Sequence, residues 1–300
     1  MIHGIINVYK EKGYTSHDVV AKMRGILKQK KIGHTGTLDP EAEGVLPVCL
    51  GKGTKLCDVL VNQDKTYEAV LLLGIETDTQ DTTGSKLRQA EVTVKEEEIT
   101  AAVMGFMGAY AQIPPMYSAL KHNGKKLYEL ARAGQEIERP ARYVTIHEIA
   151  ICSIELPRVY ITVKCSKGTY IRTLCYDIGR KLGCGGCMEA LTRIQTGGFR
   201  IEDSLKLAEI EKLQKENEIF KAVIPIDKMF SGYPKAFVSS QFHILVHNGN
   251  PLEAAHFIQK EELTKDCPVR VYDEDRRFIG IYQYDKNKLK YQPLKIFYGD

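Results

Sequence analysis

Three short stretches carry residue types suited to chemistry. The first, GHTGTLDPEAEG at 33–44, sets Asp39 between Gly36 and Pro40. Glycine permits tight turns and proline stiffens the exit, so this carboxylate is expected to be held in place. Held this way, it serves either as an Asx-turn residue or as a group that reacts. The second stretch, SKGTYIRTL at 166–174, puts Tyr170 and Arg172 where a strand is expected to pass into a helix. A guanidinium fork there could grip a carboxylate through two hydrogen bonds; the plainer alternative is a surface ion pair worth little. The third is Cys184-Gly-Gly-Cys187, the only CxxC among eight cysteines. A zinc ribbon needs a second pair and a redox centre a thioredoxin-like setting, so neither is expected. The thiols lie mostly in apolar runs and read as reduced, buried small hydrophobes.

The elements that must hold these residues follow from periodicity and punctuation. Gly4 to Tyr9 reads as a strand, and Thr15 to Asp18 fits a capping box that opens a helix. Val19, Val20, Met23, Ile26 and Leu27 form its apolar stripe, and it is expected to end near Gly33. A strand-like LPVCLG, a short helix around Leu56 to Leu60 and a β-rich run from Thr66 to Gly74 come next, followed by the turn-rich TDTQDTTG. Lys95 to Phe106 reads as helix, QIPPMYSA as a proline-fixed loop, and 120–142 as a basic helical insertion on the surface. Tyr143 to Glu155 and Val159 to Cys165 read as strands, Thr169 to Leu182 and Ser204 to Ala222 as helices. After Gly232-Tyr233-Pro234 the pattern turns to short strands. The expected division is therefore 1–232 and a small β-rich unit, 233–300.

Composition bounds the function classes. Three hundred residues, 43% apolar and 27% charged, suffice for two globular domains. The 21 uncharged positions from Thr100 to Leu120 contain Gly105, Gly108, Gln112 and Pro114-Pro115, and read as a buried helix end running into a loop rather than a membrane span. MIHGIINVY has no basic leader region and no small-residue cleavage site, so a cytoplasmic location is expected. The net charge of +4 is modest, but its distribution is uneven. Val19 to Leu38 holds five basic residues and no acid, and Lys164 to Arg200 holds seven against two. Such stretches suit either a phosphate-backbone footprint or a solvated lysine-rich face. With sixteen Tyr and no Trp, any base stacking must use Tyr, Phe, His or Arg planes.

Taken together, GHTGTLDPEAEGVLPVCLG, DKTYEA, TDTQDTTG, QIPPMYSALKHNGKKLYELAR and SKGTYIRTL, in this order and at these separations, resemble the TruB family of tRNA pseudouridine synthases over about residues 4 to 200. The resemblance implies an α+β pseudouridine synthase catalytic domain with a central, mostly antiparallel sheet. It also implies a small C-terminal β-rich domain, PUA-like or of the TruB C-terminal type, that binds RNA. The reaction it implies is isomerisation of the T-loop uridine 55 of tRNA to pseudouridine. The bond from ribose to N1 breaks and one to C5 forms with no net gain or loss of atoms or electrons, so no cofactor and no metal are implied. The implied partner is the T stem-loop of tRNA, with no membrane and no obligate protein partner.

By the same resemblance Asp39 is the nucleophile, with attack at ribose C1′ or uracil C6 both open. Arg172 is the arginine that orients it, and Tyr67 in KTY stacks on the uracil and is a candidate for handling the C5 proton. Tyr170 and Leu191 line the uracil pocket, and His34 meets RNA where bases are turned out. Asp81 supports the site from behind, and 120–142 is the RNA-clamping segment. Taken alone, Tyr67 and Leu191 would read as core. One departure is visible at Lys10-Glu11-Lys12-Gly13-Tyr14-Thr15-Ser16, where Glu11 stands in a position proline commonly takes in the family. Two other readings compete: a non-catalytic RNA-binding or RNA-folding protein on this scaffold, and a carboxylate-dependent glycosidase or nucleosidase.

Overall fold

A computed structural model describes residues 1–261, 263–264 and 266–298. The expected C-terminal unit, 233–300, thus includes four positions outside the described residues.

The chain opens with strand β1 (Gly4–Lys10) and helix α1 (Ser16–Leu27). Thr15 caps α1 through its hydroxyl, and Asp18 returns the bond to the Thr15 amide at 2.8 Å, which is the capping box expected. The helix stops at Leu27, well short of Gly33, because Lys28 turns left-handed and β2 (Ile32–His34) pairs with β3 (Glu43–Leu50). After the short α2 (Cys57–Leu60) come β4 (Lys65–Leu73), β5 (Ile75–Thr77), β6 (Lys86–Gln89) and α3 (Glu96–Met104). The apolar stretch Thr100 to Leu120 is more than a helix end, since it contains the edge strand β7 (Gly108–Gln112).

The insertion is less helical than expected. It holds a hairpin of β8 (Lys121–His122) and β9 (Lys125–Lys126), then one short helix, α4 (Leu127–Arg132). Next are β10 (Arg142–Glu155), β11 (Arg158–Cys165) and α5 (Ile171–Lys181). The sequence reading placed no element over 183–203, yet β12 (Gly186–Thr196) lies in the middle of the sheet, with β13 (Phe199–Arg200) folded back on it. Of the helix expected over Ser204 to Ala222, α6 (Leu207–Lys215) is the α-helical part; a 3₁₀ turn covers 219–222.

The central sheet runs β1-β3-β12-β4-β11-β10-β7, and every pairing in it is antiparallel except β12 with β3. Strand alternation decides which face is covered. Tyr67, Ala69, Leu71 and Leu73 of β4 and Val159, Ile161 and Val163 of β11 share a core with α3 and α5. α1 and α6 cover β1 and β3 around Ile6, Val8 and Leu46. A second, five-stranded sheet holds β14 (Lys235–Val238), β15 (Phe257–Lys260), β16 (Val269–Tyr272), β17 (Phe278–Asp285) and β18 (Lys290–Ile296), with the short α7 (His243–His247) beside it. The fold is α+β with a separate C-terminal sheet, joined to the first through Phe278 and Phe297 packed with Ile5 and Val45. Among the described residues no helix is long and apolar enough to cross a membrane.

One glycine contact sets the position of α5. A Cβ at Gly179 would lie 2.2 Å from the Gly186 amide nitrogen, so helix and strand approach more closely than any side chain allows. Gly179→Ala must push α5 off β12, because the obstacle is backbone. The expected cost is about 1–3 kcal/mol, read as a lower urea midpoint at unchanged slope. An unchanged midpoint would show that the contact is not tight in solution.

Candidate active site

Asp39 sits on a loop anchored on both sides. Leu38 and Ala42 are buried in the same core as β4 and α5, whereas the Asp39 side chain keeps 42% of its exposure. The backbone is tied as well. Ser16 Oγ accepts from the Leu38 amide at 2.9 Å, and the Asp39 carbonyl accepts from Ala42 N at 3.1 Å. The Pro40 carbonyl accepts from Gly13 N at 2.9 Å and from Lys10 Nζ at 3.1 Å. Gly36 adopts a positive φ of 135° that residues with a Cβ rarely take, and this allows the turn into the loop.

Arg172, in the first turn of α5 and 5% exposed, meets this carboxylate from the other side. Its Nε lies 2.9 Å from Asp39 Oδ2, and its Nη2 donates to Oδ1 at 3.4 Å. The guanidinium is itself held: Nη1 donates to the Thr79 carbonyl at 3.1 Å and Nη2 to the Tyr117 carbonyl at 2.7 Å. Asp81 Oδ2 stands 3.8 Å behind Nη1. The other Asp81 oxygen accepts from both Thr79 and Thr83 hydroxyls, which orders the TDTQDTTG loop whose Thr79 carbonyl grips the arginine.

The ion pair opens on a cavity of about 540 Å³ lined by Asp39, Tyr67, Tyr170, Arg172, Leu191 and Arg193, among others. Tyr67 is the last apolar residue of the inward row of β4, which continues to the buried Lys65, and both line the cavity; Leu191 pairs with Ala69 beside Tyr67. Burial pushes the Tyr67 and Tyr170 phenols above their ordinary range, so both stay protonated at neutral pH. His34 is not among the lining residues. It ends β2, half-buried, its ring edge-on to His17 at 5.4 Å, and burial, then the charge of His17, lowers its pKa. Besides Arg172, the wall carries Lys65, Arg142, Lys167 and Arg193, against one carboxylate, Asp39. A site with this balance favours an anionic ligand.

A family model described as TruB family pseudouridylate synthase (N terminal domain) matches residues 24–171, and one for the tRNA pseudouridylate synthase B C-terminal domain matches 172–231. A protein of Lachnoclostridium phytofermentans named tRNA pseudouridine synthase B is 53% identical over 99% of this chain and 100% of its own length. One of the same name from Clostridium novyi is 50% identical over 98% of this chain and 99% of its own. The chain belongs to the TruB family of pseudouridylate synthases. Among solved structures, an H/ACA ribonucleoprotein bound to a substrate RNA containing 2′-deoxyuridine superposes with a TM-score of 0.71 at 25% identity, covering 99% of this chain and 86% of that one. A Cbf5-Nop10-Gar1 complex matches at 0.71 and 27% identity, over 98% and 85%.

Three buried cations of this TruB chain at or beside the site escape a reading of its sequence, Arg193, Lys10 and Lys65, the last donating to the carbonyls of Val61 and Gln63. Arg193, 1% exposed, donates from Nε to the Val45 carbonyl at 2.7 Å and from Nη2 to the Gly36 carbonyl at 3.3 Å. Lys10, fully buried, donates to the carbonyls of Glu11, Tyr14 and Pro40. It therefore ties the segment that carries Glu11 to the loop that carries Asp39. The available signal for Arg193 and Lys10 was position: each continues the buried parity of its strand, Arg193 two residues after Leu191 and Lys10 two after Val8.

Burial pushes the Lys10 and Lys65 ammonium groups down to about 8 from their ordinary 10.5. Between those values the unfolded chain binds more protons than the folded one, so these two groups make folding more favourable as pH rises. Catalysis should move the other way, because neutral Lys10 holds Pro40, next to Asp39, more weakly. The expected profile is a rate that declines through an apparent pKa near 8 while the urea midpoint does not fall on their account. A rate that stays flat well above that pH would reject the link.

Proposed function

We propose that this pseudouridylate synthase isomerises uridine 55 in the T loop of tRNA, with Asp39 as nucleophile and no obligate protein partner. The observation that carries the reading is the Asp39–Arg172 pair in the wall of a cavity that Tyr67 and Leu191 also line. The guanidinium holds the carboxylate in one orientation. A covalent link between Asp39 and the nucleotide divides a difficult exchange into two easier steps: C1′–N1 is broken, the base turns, and C1′–C5 is made. Tyr67 offers a stacking face, and its phenol, kept protonated by burial, can take the C5 proton only while passing its own proton on to another acceptor. Tyr170 and Leu191 complete the apolar wall that shields the base from water.

Turning a nucleotide out of folded RNA costs a few kcal/mol of stacking, which the cavity wall and the cationic rim must offset. Arg142, Lys167 and the insertion at 120–142 supply charge for the phosphates, and His34, outside the cavity, is assigned to the displaced loop bases. Residues 1–232 would then form the catalytic domain and 233–300 an additional RNA-binding unit. The names of the relatives support tRNA as the substrate.

Site-resolved pseudouridine detection on an unmodified tRNA transcript, with the purified protein alone, tests the reading. Conversion at position 55 is expected, and none when that uridine is replaced by cytidine. Conversion at another uridine would overturn the assignment of the target. Tight tRNA binding with no conversion would favour the RNA-folding alternative.

A further inference from the structure

The start of α5 decides where Arg172 stands, and α5 has no side-chain cap of its own. Its N-cap residue is Tyr170, which lacks the short oxygen of a Ser, Thr, Asp or Asn that could fold back on the first turn. The hold comes instead from the edge strand β7. Gln112, 1% exposed, accepts from the Tyr170 amide through Oε1 at 2.8 Å and donates from Nε2 to the Tyr170 carbonyl at 2.9 Å. One side-chain amide thus brackets the backbone of a single residue 58 positions away. Two residues earlier on the same face, the Tyr110 hydroxyl donates to Asp177, two helical turns further along α5. β7 therefore holds the helix at two points.

Gln112 occupies a second junction. It pairs with Arg142, so the chain leaves the sheet into 113–141 at Gln112 and rejoins it directly opposite. That excursion contains the Tyr117 carbonyl, which accepts from Arg172. We propose that Gln112 is a positioning residue for the TruB reaction: by bracketing Tyr170 at the root of the insertion, it sets the start of α5 and so the grip of Arg172 on Asp39. It touches neither the carboxylate nor the guanidinium, and it is not among the residues lining the cavity. The inference rests on Asp39 and Arg172 being the reacting pair.

The test compares wild type with Gln112→Met, which removes both hydrogen bonds, and Gln112→Glu, which keeps the shape and the acceptor but loses the donor. A misplaced reacting pair predicts kcat lower by about tenfold to a hundredfold in both, with the tRNA Kd within twofold of wild type. A folded Met variant with kcat within twofold of wild type overturns the proposal, as does a loss confined to tRNA Kd. If the Met variant does not fold, the Glu variant decides by the same two readouts. If neither folds, Gln112 belongs to the fold and not to the site, and the proposal falls. Failure of the underlying reading is separable: Asp39→Asn would then convert uridine as wild type does, whatever Gln112 variants do.

Discussion

Asp39→Asn should abolish pseudouridine formation, by on the order of 10⁴- to 10⁶-fold, while leaving tRNA affinity and the urea midpoint close to wild type. The scale is that of removing a nucleophile from a site whose binding groups remain in place. The separation of effects comes from the geometry. The loop is held by Leu38, Ala42, Ser16, Lys10 and Gly13, none of which uses the Asp39 side chain, and that side chain is 42% exposed. An amide in its place fits the same space and still accepts a hydrogen bond from Arg172, but it carries no charge and is a far weaker nucleophile. The measurement is single-turnover conversion beside tRNA binding. An Asn variant retaining more than about a hundredth of the rate would mean that another group attacks.

Arg172 should behave differently, because it does structural work as well. Its guanidinium donates to three acceptors at once, Asp39 Oδ1 and the carbonyls of Thr79 and Tyr117, and its Nε stands 2.9 Å from the other Asp39 oxygen as an ion-pair contact. Arg172→Met leaves those half-buried carbonyls without their donor, at up to about 1–3 kcal/mol for each. It should lower the urea midpoint and remove detectable turnover together. Arg172→Lys keeps the charge but offers a point in place of a planar fork, so it cannot hold Asp39 and both carbonyls in one geometry. The expected result is a folded protein with kcat down about a hundredfold or more, the scale of an ångström-sized misplacement at a reacting centre. A Lys variant within threefold of wild type would show that charge alone suffices. The contrast with Asp39→Asn would tell a residue that reacts from one that aims it.

Much of this arrangement was legible because it depends on neighbours along the chain. The Thr15–Asp18 capping box, the glycine and proline around Asp39, and the alternation along β4 and β11 all act within a few residues, and each element lies close to where the pattern put it. The misses have a common cause. β12 is the central strand of the site yet carries Glu189 and Arg193, and two register irregularities, between Met188 and Ala190 and between Arg193 and Gln195, interrupt its alternation. Arg193 and Lys10 run against the default of charged side chains to the surface. They lie inside because backbone carbonyls of chain-distant loops meet them there. α1 was drawn too long because the break at Lys28 comes with β2 pairing to β3, a contact the helix pattern does not contain.

Residue chemistry along the chain was enough to mark Asp39, Tyr170 and Arg172 as candidates, to expect a β-rich C-terminal part and, through several motifs in register, to point to the TruB family. It could not show that Arg172 reaches across 133 positions to Asp39, that Tyr67 and Leu191 line one cavity, or that Gln112 brackets Tyr170 at the start of α5. Turns, caps and alternation are short-range effects, set by sterics and hydrogen bonds within one or two turns of chain. The site instead depends on β12 lying between β3 and β4 and on α5 closing to within glycine distance of it. Those contacts arise when the whole sheet buries its apolar face.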